Sequence, residues 1–277
     1  MSASTLSARP GSALRSGLRE VADWLAVAPA LPGSLVPHSN LRRLDPAQPP
    51  DVRSLQRNLP VVFVHGYGGN IATWTTLAGR LHHRGLIGLH TFGYASYGVD
   101  VPLLARRLVE QIRRDIGSGP VHLVGHSLGG LIVRYAVTEL GLDRQAVTVT
   151  TIATPHSGSA LARLCRNALG RDLRPRSGVV RRLSDGRLSA CVRWTAYRTD
   201  RDLLVTPASA VLPGSAVDNV LVPGYGHVSV LNAPVLADDL AGRLRLAELA
   251  TSALGRPPET TAQRDAPLQR AKVAADM

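Results

Sequence analysis

Cysteine, lysine and aromatic residues are all scarce in this chain of 277 residues, and each scarcity excludes something. Two cysteines, Cys165 and Cys191, are too few for a disulfide framework or a zinc site. They are either one pair or two buried thiols. No run approaches the roughly 20 apolar residues that a membrane span requires. The most apolar early stretch, "VADWLAVAPALPG" at 21–33, is broken by Asp23 and two prolines, so an export signal is not expected. The default is a cytoplasmic protein whose basic N-terminus can lie against a membrane. Lys272 is the only lysine, so the formal net charge of +12 rests on arginine. The arginines are spread along the chain, and aromatics, at 4%, are too few to interleave with them as a nucleic-acid surface would need. Nucleic acid is therefore not the expected partner. The densest basic stretch, "RLCRNALGRDLRPRSGVVRR" at 163–182, suits either an anionic surface such as lipid head groups or a solvated insert.

What the chain does have is the composition of a folded protein, with 44% apolar and 19% charged residues. Residues 1–58, rich in Pro, Ser and Arg, form an N-terminal extension with one amphipathic helix expected around Leu14–Val27. Residues 59–255 form the folded body. Residues 256–277 lack aromatics and periodicity and read as a disordered tail. Within the body, short β-branched runs at 60–64, 88–92, 121–124, 147–153, 193–197 and 219–222 alternate with longer stretches. Three of these, Thr73–Arg84, Val101–Ile116 and Leu128–Leu140, carry helical periodicity. Strands without a polar face, separated by helix-length segments, predict an α/β architecture: a mostly parallel sheet of about six strands between helices. Ligands of such sheets bind at the carboxyl ends of the strands.

The loops at those ends carry the chemistry. "VHLVGHSLGG" at 121–130 places Ser127 between glycines just after a strand and just before a helix. The Gly-X-Ser-X-Gly pattern is weak alone, but strand–turn–helix is the context that a nucleophile elbow needs. After the strand at 60–64 comes "HGYGG", a loop whose glycines leave backbone N–H groups able to face a ligand. Stabilising an oxyanion takes two such donors, each worth about 10²–10³ in rate. The candidates are the amides of Tyr67 and of Leu128, the residue after the serine. A serine hydroxyl also needs a histidine base, itself oriented by a carboxylate. In elbow hydrolases the chain order is serine, acid, histidine. Of nine histidines only His156 and His227 follow Ser127; His156 precedes any acid placed after a later strand, whereas His227 follows the strand at 219–222. The acid should follow the strand at 193–197, where "RTDRDLLVTP" offers Asp200 and Asp202. Asp202 is favoured for the apolar residues beside it; Asp218 precedes its strand and points to the wrong end.

Five segments, "VVFVHGYGG", "VGHSLGG", "IATPHSGS", "DLLVTP" and "GYGHVSVL", together resemble the α/β-hydrolase family, specifically its small bacterial lipases and esterases. The resemblance covers about residues 59–240. It implies the α/β-hydrolase fold, Ser127 as nucleophile, Asp202 as acid, His227 as base, and the Tyr67 and Leu128 amides as oxyanion donors. It implies no cofactor and no metal for the chemistry, and no paired-aspartate pattern suggests the calcium site of larger lipases. The implied reaction is hydrolysis of an ester or acyl lipid through an acyl-enzyme. A thioesterase or acyltransferase would use the same residues, and a non-catalytic interaction module would share only the fold. Segment 157–191 is longer than a bare connection, so it is either a small lid or acyl-binding wall, or a surface excursion. Oligomeric state is not fixed by the pattern.

Overall fold

The computed structural model describes residues 3–5, 40–44 and 58–253. The helix expected around Leu14–Val27 and the tail 256–277 lie outside the described residues. Among the described residues eight strands form one sheet: β1 (Ala3–Thr5), β2 (Asn40–Arg43), β3 (Val61–Val64), β4 (Leu89–Gly93), β5 (Val121–His126), β6 (Ala146–Ile152), β7 (Arg193–Thr199) and β8 (Val217–Val222). Their order is β1-β8-β7-β6-β5-β3-β4-β2. All neighbours run parallel except β2 against β4. The six strands expected from the apolar runs are β3 to β8. The sheet is two strands wider than that pattern gives, because residues 3–5 and 40–43, assigned to the extension, pair along its two edges. Strands of three and four residues at an edge need no apolar run, so hydropathy does not announce them.

Every residue of β3, β5 and β6 is buried, as strands covered on both faces must be. Alternation along β3 divides the core. Val61 and Phe63 pack with Trp74, Leu77 and Leu81 on one side, and Val62 and Val64 pack with Leu104, Leu108 and Leu131 on the other. The covering helices are α1 (Thr75–His83), α2 (Val101–Asp115), α3 (Leu128–Glu139), α4 (Ala168–Asp172), α5 (Gly178–Asp185) and α6 (Pro234–Ala253). Helix α2 starts at Asp100, whose carboxylate accepts the Leu103 amide at 2.8 Å. It buries Val101, Leu104, Ala105, Leu108, Val109 and Ile112, the three-and-four spacing of a helix face. Helix α6 lies outside the three that periodicity marks. It packs Leu236, Leu240 and Leu244 beside the α1 residues.

Segment 157–191 is folded onto the body. Ala162, Leu169, Leu173, Val179 and Leu183 join the core on the α2–α3 side. The Asp172 carboxylate accepts the Val101 amide at 2.8 Å, and Ser159 Oγ donates to Leu204 O at 2.7 Å. Leu161 and Leu164 remain exposed. Cys165 and Cys191 are both free thiols.

Candidate active site

Ser127 sits between β5 and α3 with φ 52° and ψ −122°. A side chain in that left-handed region costs on the order of 1–3 kcal/mol, so its surroundings must impose it. Two bonds do so directly: the Ser127 amide donates to Ile152 O at 2.9 Å, and Gly130 N donates to Ser127 O at 3.0 Å. The glycines around it leave no alternative. A Cβ on Gly125 would come within 2.5 Å of the Gly130 backbone. One on Gly129 would overlap the Val64 carbonyl, and one on Gly130 would overlap the Thr154 side chain. The strand–turn–helix can therefore be this tight only with glycine at all three positions. Ala153, next to the Ile152 carbonyl, also has a positive φ of 48°, so the neighbouring strand end shares the strain.

The loops after β7 and β8 meet in a carboxylate–imidazole pair. His227 Nδ1–H donates to Asp202 Oδ2 at 2.7 Å, and both side chains are almost fully buried, at 5% and 2% exposure. The other carboxylate oxygen of Asp202 accepts the amides of Leu204 at 2.8 Å and Val205 at 2.7 Å. Asp202 is thus fixed by its own turn and aimed at one nitrogen of one histidine. Asp200, the other candidate acid, is exposed and accepts the Gly224 amide at 2.7 Å. It braces the loop that carries His227 and does not contact the ring.

His126 joins the serine to that loop. Its Nε2–H donates to the His227 carbonyl at 2.8 Å, and the two rings stand 4.8 Å apart. Burial, followed by the neighbouring His227, pulls the His126 pKa down to about 3, so the ring is neutral and keeps this tautomer. Trp74 closes its other side, edge-on. The sequence pointed to position 126 only as the variable residue of the elbow pattern. Nothing in residue spacing shows that its ring reaches a backbone 101 residues away.

The loop after β3 lies against the elbow. A Cβ on Gly66 would sit 3.1 Å from the Ser127 Cβ, so the two turns are in close approach. Among the described residues the amides of Tyr67 and Leu128 hydrogen bond to no acceptor. Leu128 also opens helix α3, where the N–H groups carry partial positive charge. His65 braces this loop: it stacks on Tyr94 at 4.1 Å, and its Nδ1–H donates to Gly66 O at 2.9 Å. Tyr94 Oη donates to the His65 carbonyl at 2.6 Å. Burial lowers the His65 pKa to about 4, which suits a brace and not a proton carrier.

His156, the other histidine downstream of the serine, is engaged elsewhere. Its Nε2–H donates to Thr151 Oγ1 at 3.0 Å and its Nδ1 accepts from Arg134 at 3.3 Å. Burial and that guanidinium push its pKa well down. Arg134 is itself buried in α3 and donates to Leu183 O, which ties α3 to segment 157–191. No group of three or more His, Cys, Asp or Glu side chains among the described residues is placed to hold a metal ion.

Known proteins resemble this arrangement at both levels. Residues 56–170 match the family model described as "Putative serine esterase (DUF676)". A triacylglycerol lipase of Pseudarthrobacter phenanthrenivorans is 28% identical over 179 residues, which cover 60% of this chain and 54% of that one. A triacylglycerol lipase of Burkholderia plantarii is also 28% identical, over 60% of this chain and 49% of its own length. The chain thus spans about half the length of the curated relatives it matches. Among solved structures, the Bacillus licheniformis lipase BlEst2 in its mature form superposes with a TM-score of 0.63 and 19% identity. It covers 74% of this chain and 97% of its own. A monoacylglycerol lipase of Paleococcus ferrophilus superposes with a TM-score of 0.56 at 15% identity, covering 76% and 99%. At such identities the superpositions speak for the fold. The sheet order and these neighbours give the chain the α/β-hydrolase fold, and its residues 56–170 are similar to the esterase family model.

Proposed function

We propose that the protein hydrolyses carboxylic esters through Ser127, His227 and Asp202. The observation that carries this reading is the buried Asp202–His227 bond of 2.7 Å, joined through His126 to a serine held at φ 52°. With Nδ1 engaged, Nε2 of His227 takes the Ser127 proton as the serine oxygen attacks the ester carbonyl. Asp202 fixes that tautomer and stabilises the imidazolium. The Tyr67 and Leu128 amides receive the negative charge that develops on the carbonyl oxygen. The imidazolium returns its proton to the leaving alcohol, and a water activated by the same imidazole releases the acid from the acyl-enzyme.

The substrate we propose is an ester or acyl lipid met at an anionic membrane surface. Segment 157–191 holds eight arginines against two aspartates, and seven of those arginines are exposed. Leu164, 81% exposed, and Leu161 stand among them. Guanidinium groups around protruding leucines match anionic head groups over an acyl layer. No helix among the described residues is long and apolar enough to cross a membrane, so the contact is peripheral for this part of the chain. The test is turnover of p-nitrophenyl esters of graded chain length, with acyl-CoA thioesters in parallel. Ester turnover that Ser127→Ala lowers by about 10⁴ or more supports the proposal. Turnover of thioesters alone, or turnover that survives Ser127→Ala, refutes it.

A further inference from the structure

The esterase reading leaves one polar cluster unused, and it lies between the candidate oxyanion loop and the arginine-rich segment. Asn167 caps helix α4, its Oδ1 accepting the Gly170 amide at 2.9 Å. An amide N–H can bond only to the oxygen, so the Nδ2 group is turned the other way. It donates there to two acceptors: Tyr67 Oη at 2.9 Å and the Ser96 carbonyl at 3.1 Å. Ser96 Oγ in turn accepts the Gly68 amide at 3.0 Å. Two consecutive residues of the oxyanion loop, Tyr67 and Gly68, are therefore held from one asparagine, directly and through Ser96.

The loop needs such a hold. Three of its five residues are glycine, and Gly68 adopts φ 68° with no side chain to pin it. The base from which Asn167 reaches is firm, since Asp172, Ser159 and Leu183 fasten the segment to α2, the 204 loop and Arg134. We propose that Asn167 is a positioning residue that holds the Tyr67 amide aimed at the developing oxyanion, which makes segment 157–191 a fixed brace of the catalytic loop and not a lid. This rests on the esterase reading.

Asn167→Ser separates the clamp from the helix cap, because serine caps as well as asparagine but cannot reach Tyr67. Tyr67→Phe removes the other partner and keeps the ring. Each variant is assayed for ester turnover, for thermal unfolding, and for affinity toward a trifluoromethyl ketone. That ketone is attacked by the serine oxygen and leaves an oxyanion in the hole. The clamp predicts that kcat falls about tenfold, with KM within twofold of wild type. Ketone affinity should fall by a similar factor at unchanged Tm. The double variant should be no worse than Asn167→Ser alone, because the serine already removes the contact that Tyr67→Phe deletes. Wild-type kcat in Asn167→Ser, a kcat loss that spares ketone affinity, or additive single effects would overturn the clamp. If the unaltered protein neither turns over esters nor binds the ketone, the esterase reading falls and takes the clamp with it. If it does both and Asn167→Ser matches it, the clamp alone falls.

Discussion

Acidification from pH 7.5 to pH 5 should cost the fold about 4 kcal/mol through two histidines alone. His65 and His126 are held by burial at pKa values of about 4 and about 3, against 6.5 in an open chain. Below pH 6.5 the unfolded chain binds protons that the folded chain refuses, so stability is complete above that pH and declines as pH falls toward 4. At pH 5 the linkage for each ring is about RT ln(10^1.5), roughly 2 kcal/mol. His156, pushed well down by burial and Arg134, adds to the loss in the same direction. Against a typical total of about 5–15 kcal/mol this is a large fraction. Urea unfolding followed at pH 7.5, 6.5, 5.5 and 5.0 measures it. His126→Asn, which keeps an N–H donor, should start lower but lose about 2 kcal/mol less over that range. A stability that stays level from pH 7 to pH 5 would refute the reasoning, because these rings would then be protonated inside the fold.

Replacing Gly129 by alanine puts a methyl group into the Val64 carbonyl, so soluble expression or Tm should drop sharply; a well-folded Gly129→Ala protein would mean the elbow is looser than described. Asp202→Asn should lower kcat by about 10⁴, by forcing the wrong histidine tautomer, and steady-state ester assays read this directly. Asp200→Asn should remain within a few fold, because its amide oxygen can still accept from Gly224; the opposite ranking would exchange the two acids. Binding to vesicles containing anionic lipid should weaken as salt rises and when Arg163, Arg166 and Arg171 are replaced by glutamine. Flotation that ignores both changes would count against the surface contact.

The central parallel sheet could be read from the sequence because strands buried on both faces must be continuously apolar. Strand β3 is such a run, and β5 and β6, apolar or β-branched at most positions, are buried along their whole length as well. The edge strands could not, since "AST" and "NLRR" are held by backbone pairing and carry no apolar pattern. Ser127 stood out as the candidate nucleophile through the glycines that its close approach demands, and His227 and Asp202 as the candidate base and acid through chain order and the strand ends they follow. The residues that steady this constellation were silent for a common reason. His126, Asp200, Asn167 and Ser96 act by single hydrogen bonds to distant backbone or side-chain atoms, and a lone polar residue in a loop carries no period and no motif. Arg134 was hidden differently: an arginine on a helix face reads as solvated, yet this one is buried and bonded to a carbonyl of segment 157–191.

Labelling with a fluorophosphonate, followed by mass spectrometry of the modified peptide, tests the proposed nucleophile most directly. The adduct should lie on Ser127 alone. Its rate of formation should collapse in His227→Ala, fall steeply in Asp202→Asn and hold near wild type in His156→Gln. An unlabelled protein, an adduct on another residue, or labelling indifferent to His227 would contradict a serine nucleophile served by that imidazole.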